Sequence, residues 1–255
     1  MNIIDAFWEK KNIGVETVEV VCNGKETGNE LEKELNKISV PYSVLKIPAG
    51  NYELLAAGQG CGYSVIELTF KLIGNVNIVK LPAVYNRFAP YLRVEPATDE
   101  IKEKVLNEIA SGEIFSTDRI AIDPVFSKEI AGRRYYNWCS DAINKGASLE
   151  IAYYKEEPIA FNINAQPDDK RVCDGLLGGV FAEALDRGLG FLVLYTEVES
   201  CKRLGGKAVV STVSSNNLPI LKLHIQYGFE IREVNYVMIK HRNKDSEFTD
   251  IREAK

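Results

Sequence analysis

The stretch from Cys173 to Lys240 constrains the fold more than any other part of the chain, because strand-like and helix-like runs alternate there with glycines at the junctions. Cys173 to Ala184 reads as a strand, with Gly178 and Gly179 marking places where bulk is excluded. A helix is expected from about Leu189, with Phe191, Leu194, Tyr195 and Val198 at helical spacing and Gly205-Gly206 as its stop. Ala208 to Val213 is the next strand. Asn216 or Asn217 then caps a helix that tolerates Pro219 in its first turn and ends at Gly228, and Glu230 to Lys240 is the last strand. Strand-helix-strand units of this length favour a right-handed crossover between neighbouring parallel strands.

Upstream, Ala131 to Ile143 has a helical pattern closed by Gly146, and Leu149 to Tyr154 and Ile159 to Ala165 form a hairpin about Lys155-Glu156-Glu157-Pro158. Thr98 caps a helix that buries Ile101, Val105, Leu106 and Ile109 and stops at Gly112. From Asn2 to Pro96, β-branched and aromatic runs at Thr17 to Cys22, Tyr42 to Ile47, Ser64 to Leu72 and Asn77 to Leu81 alternate with turn formers. No internal repeat is visible. The expected division is an accessory α/β domain over 1–97, a connecting helix over 98–114, a larger α/β domain over 115–242 and a frayed charged tail over 243–255.

A net charge of -5 argues against a broad nucleic-acid surface while leaving room for a local phosphate site. The five cysteines, Cys22, Cys61, Cys139, Cys173 and Cys201, are odd in number and widely spaced. They fit neither a disulfide framework nor a zinc site and read as reduced cytoplasmic thiols. With only His224 and His241, a histidine-built metal centre is not expected. The first residues lack a secretory pattern, and no apolar run is long enough to span a bilayer.

Arg187-Gly188-Leu189-Gly190 falls where an apolar strand ends and an amphipathic helix begins. A turn with two glycines lets backbone N–H groups converge, and the helix N-terminus adds a favourable dipole, so a diphosphate can be held there with little side-chain help. A tight turn with no ligand has the same letters. Together with Asn217-Leu218-Pro219-Ile220-Leu221-Lys222-Leu223-His224-Ile225-Gln226-Tyr227-Gly228-Phe229, however, the segment from Val180 resembles the acetyl-CoA motifs of the GNAT superfamily.

That resemblance implies a GNAT acyltransferase fold with a mixed, splayed sheet, an acetyl-CoA donor and an amine acceptor. It makes Leu185, Asp186, Arg187, Gly188, Leu189 and Gly190 the diphosphate cradle and Val180, Phe181 and Ala182 the strand that faces the pantetheine arm. Asn217 is then the motif asparagine, and Lys222 reaches a phosphate. Leu185 stands where the superfamily usually has Gln or Arg. His224 takes the place of a tyrosine that protonates the departing thiolate; an imidazole, with a reference pKa of about 6.5, is mostly neutral near pH 7. A hydrogen-bonded core histidine is the alternative reading, with Tyr227 as the second candidate acid. Glu183 and Glu150 are candidate bases, each equally readable as a solvated or turn-stabilising carboxylate.

Phe115-Ser116-Thr117-Asp118-Arg119, Asp123-Pro124-Val125-Phe126-Ser127, Arg134-Tyr135-Tyr136-Asn137-Trp138 and Lys46-Ile47-Pro48-Ala49 resemble the TDP-fucosamine acetyltransferase branch. This implies a nucleotide-linked amino sugar as acceptor, with Thr117, Asp118 and Arg119 as its contacts: a guanidinium grips phosphate bidentately, and a carboxylate orients an ammonium. Alternatively Asp118 and Arg119 only brace a strand or turn, and the aromatic residues are core. Another small amine, or a CoA-binding sensor with weak turnover, are the rival functions. No nucleic-acid, membrane or metal partner is expected, and a homodimer is compatible with the chain.

Overall fold

Period-two burial sorts the strand side chains onto two faces of one sheet. Along Tyr42–Pro48, Tyr42 and Val44 enter one core with Phe126, Ile130 and Val237, while Leu45 and Ile47 enter another with Leu31, Leu54 and Met238. In the computed structural model, which describes residues 1–242, ten strands form a single mixed sheet. The tail expected over 243–255 lies outside the described residues.

The first part of the chain gives β1 (Asn2–Asp5), α1 (Phe7–Ile13), β2 (Thr17–Val21), α2 (Gly28–Leu35), β3 (Tyr42–Pro48), α3 (Tyr52–Gly60) and β4 (Ser64–Asn75). A 3₁₀ segment, Ala83–Tyr91, leads to β5 (Leu92–Pro96), α4 (Asp99–Ala110) and α5 (Lys128–Asn144). There follow β6 (Ser148–Tyr154), β7 (Glu157–Asn164), β8 (Val172–Val180), α6 (Leu192–Arg203), β9 (Ala208–Ser214), α7 (Leu218–Tyr227) and β10 (Glu230–His241). The sheet order is β1-β2-β3-β10-β4-β9-β8-β7-β6-β5.

The eight strands from β1 to β7 in this order are symmetric about the β10–β4 boundary, with β6 and β5 added at one edge. β2-α2-β3-α3-β4 and β8-α6-β9-α7-β10 have the same succession, and in each the first two strands pair in parallel. The final strands are exchanged: β4 pairs with β9, and β10 pairs with β3. The sequence shows no repeat because only topology, not residue pattern, is duplicated. As a result, a strand from the first hundred residues lies between β9 and β10 of the second half.

Thr98 caps α4 by accepting the Ile101 N–H, and Val105, Leu106 and Ile109 are buried, as expected. Close packing of α4 on α5 depends on two glycines: a Cβ on Gly112 would strike the Lys128 carbonyl, and one on Gly132 the Ala110 carbonyl. The β6–β7 hairpin turns through Lys155 and Glu156, both at positive φ, the twist that a two-residue turn between antiparallel strands requires.

Three boundaries differ from expectation. Asn77 to Leu81 is a turn, not a strand, because the Asn75 carbonyl takes the Ile78 and Val79 amides and its side chain takes that of Asn77. The strand read as Cys173 to Ala184 stops at Val180, beyond which Ala182–Arg187 coils as 3₁₀. The next helix starts at Leu192 rather than Leu189, because the chain first passes through tighter turns in which the Leu192 and Val193 amides donate to the Leu189 and Gly190 carbonyls three residues back.

Candidate functional site

β8 and β9 pair only from Val172↔Ala208 to Gly175↔Ser211. Past that point β8 continues to Val180 along β7, and β9 continues to Ser214 along β4, so the two strands part. The register of β8 on β7 slips by one residue at Leu176, between Ile163↔Leu177 and Asn164↔Gly175. A bulge of this kind bends the strand and aims it away from its neighbour. The β9-facing edge of β8 beyond Gly175 therefore carries no strand ladder, leaving a slot lined by backbone donors and acceptors.

At the mouth of that slot lies the turn singled out in the sequence. Leu189 and Phe191 are buried and anchor it; the Phe191 ring stacks on Tyr85 at 4.2 Å, and its carbonyl accepts the Tyr227 hydroxyl at 3.2 Å. Gly188 and Gly190 stay at the surface, with nothing within 4 Å of where a Cβ would stand. The amides of Gly188, Leu189, Gly190 and Phe191 donate to no acceptor among the described residues. Leu185 and Asp186 are exposed, and Arg187 ties the turn to the start of β7 through Glu157 at 2.6 Å. Of the three residues expected to face the pantetheine arm, only Val180 is in the strand. Phe181 is buried against Phe161, and the Ala182 amide is taken by Glu108 at 2.9 Å.

In the matching turn of the first half, side chains of the same half take the amides. The Glu26 carboxylate takes the Asn23 and Gly24 amides, and Glu53 takes that of Gly28 at 2.7 Å. Of the two topologically equivalent turns, 188–191 is the one with a run of four amides that have no acceptor among the described residues.

Asn217 caps α7, its Oδ1 accepting the Ile220 N–H at 3.3 Å, and Lys222 is exposed on the same helix. His224 is buried at 3% exposure, edge-on to Phe229. Its Nδ1 lies 2.8 Å from the Ile220 carbonyl, which can only accept, so Nδ1 carries the proton and Nε2 is bare. Burial lowers its pKa to about 4. Nε2 faces Glu197 Oε2 at 3.8 Å, while Glu197 Oε1 accepts the Ser211 hydroxyl at 2.5 Å. Burial raises the Glu197 pKa to about 7, against the opposing effect of the Ser211 hydrogen bond. Gly175 makes room for this carboxyl: a Cβ there would overlap Oε1. Asn164 holds the α6 backbone at the Glu197 carbonyl. Tyr227, the second candidate acid, is buried and committed to Phe191.

On the opposite face of the sheet, the loop between α4 and α5 reaches the end of β9. The Thr117 carbonyl accepts from Ser214 Oγ at 3.1 Å and Asn216 Nδ2 at 3.3 Å. Arg119 turns inward to Glu19 at 2.8 Å and Glu9 at 3.7 Å. Asp118 faces Arg134 at 3.6 Å, and Arg134 reaches Glu9 at 2.8 Å. Asn137 bonds Asn12, so the 134–138 segment also joins α5 to α1. Of the candidate bases, Glu150 is buried in an ion pair with Arg203, and Glu183 is exposed beside Lys104.

Several buried carboxyls went unrecognised in the sequence, Glu197 and Glu67 among them. Glu197 sits mid-helix and looks like a solvated charge until α7 covers it. Glu67 left one trace, a lone carboxylate inside the apolar run Ser64 to Leu72.

Among the described residues, no group of three His, Cys, Asp or Glu side chains is placed to hold a metal ion, and no helix is long and apolar enough to cross a membrane. No family model and no characterised protein sequence matches the chain. Solved structures do match. A functionally unknown conserved protein from Staphylococcus epidermidis superposes with a TM-score of 0.59 at 11% identity, covering 92% of this chain and 88% of its own. A GCN5-related N-acetyltransferase from Sphaerobacter thermophilus gives 0.56 at 11% identity, over 94% and 75% of the two chains. Another, from Kribbella flavida, gives 0.54 at 12% identity, over 91% and 84%. At such identities the likeness is one of architecture: the mixed sheet has the fold of the GCN5-related N-acetyltransferases.

Proposed function

We propose that the chain is an N-acetyltransferase that moves an acetyl group from acetyl-CoA to a primary amine. The observation that carries this reading is the row of unpaired amides from Gly188 to Phe191 at the mouth of the slot between β8 and β9. Converging backbone donors ahead of a helix suit a diphosphate, each dipolar contact contributing about 0.3–1 kcal/mol. In this reading Leu185 to Gly190 hold the diphosphate, the β8 edge up to Val180 receives the pantetheine arm, and Asn217 and Lys222 bound the site from α7. Acetyl-CoA, when bound, supplies an activated thioester. The unladdered β8 edge offers N–H donors to a polarised carbonyl oxygen, and alignment of two reactants needs no enzyme nucleophile. Glu197, whose raised pKa keeps a proton near neutrality, supplies the proton that the departing thiolate takes up, the bare Nε2 of His224 passing it on, and the carboxylate so formed takes back the proton that the attacking amine sheds.

The acceptor favoured by the resemblance is a nucleotide-linked amino sugar of the TDP-4-amino-4,6-dideoxy type, contacted by the 117–119 loop. One observation favours a smaller amine instead: Arg119 and Arg134 are both engaged by carboxylates, so neither presents a free fork to a second diphosphate. Calorimetric titration with CoA and a thiol-release assay over an amine panel test the function. Binding with turnover of one amine is expected. Binding without turnover of any amine would leave a CoA sensor, and no binding would end the proposal.

A further inference from the structure

On the face of the sheet opposite α6 and α7, ionisable side chains from both halves of the chain converge. Lys46 pairs with Glu19 at 2.8 Å, Arg119 with Glu19 and Glu9, and Arg134 with Glu9 and Asp118. Three cations thus meet three carboxylates. Glu67, from β4, is a fourth carboxylate in the same cluster; it is 5% exposed and its Oε2 has no hydrogen-bond partner. A buried carboxylate oxygen with no donor is costly, and a protein retains one where a bound group can supply the missing donor. Burial raises its pKa above the ordinary carboxylate value, with the Ser214 hydroxyl, Arg119 and Lys46 opposing that shift and Asp118 adding to it.

Its position says what that group can be. Thr69 lies opposite Ser214, and Glu67 is two residues back along β4, so Glu67, Thr69, Ser214 and Thr212 share one face. Along that face burial deepens from exposed Thr212, through half-buried Thr69 and Ser214, to Glu67. Ser214 is on the part of β9 that has left β8, beside the slot assigned above to the thioester. The Thr117 carbonyl and the Ser214 hydroxyl complete a set of oxygens around the position. An ammonium offers three N–H donors to such a set.

We infer that Glu67, with Ser214 and the Thr117 carbonyl, is the subsite that receives the primary ammonium of the acceptor. The inference rests on the acetyltransferase reading for its location, and on the unpartnered Glu67 Oε2 for its chemistry. It assigns acceptor recognition to a strand from the half of the chain that has no open cradle.

The test compares the full chain with Glu67→Gln, which keeps the shape and removes the charge. Thermal unfolding is followed with spermidine, glucosamine and a TDP-4-amino-4,6-dideoxy sugar as ammonium probes, and with glucose as the uncharged counterpart of glucosamine; CoA affinity is measured separately by calorimetry. At least one ammonium probe is expected to raise the wild-type Tm while glucose does not. The variant without probe is expected to melt at or above the wild-type temperature, and to bind that probe about 10- to 100-fold more weakly, as for loss of a charged hydrogen bond. CoA affinity is expected to stay the same in both. A lower Tm with unchanged probe binding, or no ammonium-specific shift in the wild type, overturns the inference. Failure of CoA to bind either protein is a separate result that removes the acetyltransferase reading, while the ammonium shift still decides the charge argument.

Discussion

Glu197 on α6 and His224 on α7 face each other at 3.8 Å, and the same carboxyl accepts the hydroxyl of Ser211, the last β9 residue to pair with β8. A proton-holding pair therefore sits directly under the point where the strands part. The two groups are shifted in opposite directions by the same burial: the carboxyl up to about 7, the imidazole down to about 4.

Those shifts give a pH signature. The Glu197 pKa is raised from 4.5, so its contribution to stability is complete below about pH 4.5 and is lost as pH rises toward 7. The His224 pKa is lowered from 6.5, so its contribution is complete above about pH 6.5 and is lost as pH falls toward 4. Glu197→Gln removes only the first effect. Its Tm relative to the wild type is expected to climb from pH 4.5 to 7 and then level off, measured by melting in matched buffers. A difference that is flat with pH would place the Glu197 shift elsewhere.

His224→Phe is expected to lower kcat about 100-fold, the low end of what a positioned acid contributes, with CoA affinity unchanged. His224→Tyr is expected to recover part of that loss. The pair is read by steady-state thiol release and calorimetry, and an unaltered pH-rate profile in the Phe variant removes the proton role.

Gly190→Asp places a carboxylate among the open amides, as Glu26 does in the first half. CoA affinity is expected to fall by about 10- to 100-fold, the scale of a charge-assisted contact, without a change in Tm. Native mass spectrometry of the wild type is expected to find one CoA per chain, since carboxylates already take the Gly24 and Gly28 amides of the Asn23–Gly28 turn.

Gly175→Ala forces a methyl group into Glu197 Oε1. Overpacking at a buried polar contact is expected to cost about 1–3 kcal/mol, read from urea unfolding.

Much of the second half was legible in the sequence, because each element there ends in chemistry that acts locally. Gly188 and Gly228 adopt positive φ and Asn217 caps its own helix, as Thr98 does for the helix that joins the halves. What escaped was set by distant partners. No local pattern says that β4 will leave its own neighbours to lie beside β9, that α7 will bury Glu197, or that Arg119 will turn inward to Glu19. The base candidates failed to stand out for the same reason: Glu150 looks solvated until Arg203 arrives from α6.

The exchange of β4 and β10 also bears on how such a protein can change over generations. On the assignments above, the grip on the donor is written in one stretch of the gene and the charged residue of the acceptor grip in another, some hundred codons away, and the two meet only when the sheet zips together. Variation at Glu67 and its surroundings can then retune which nucleophile is admitted while leaving the handle for the donor untouched.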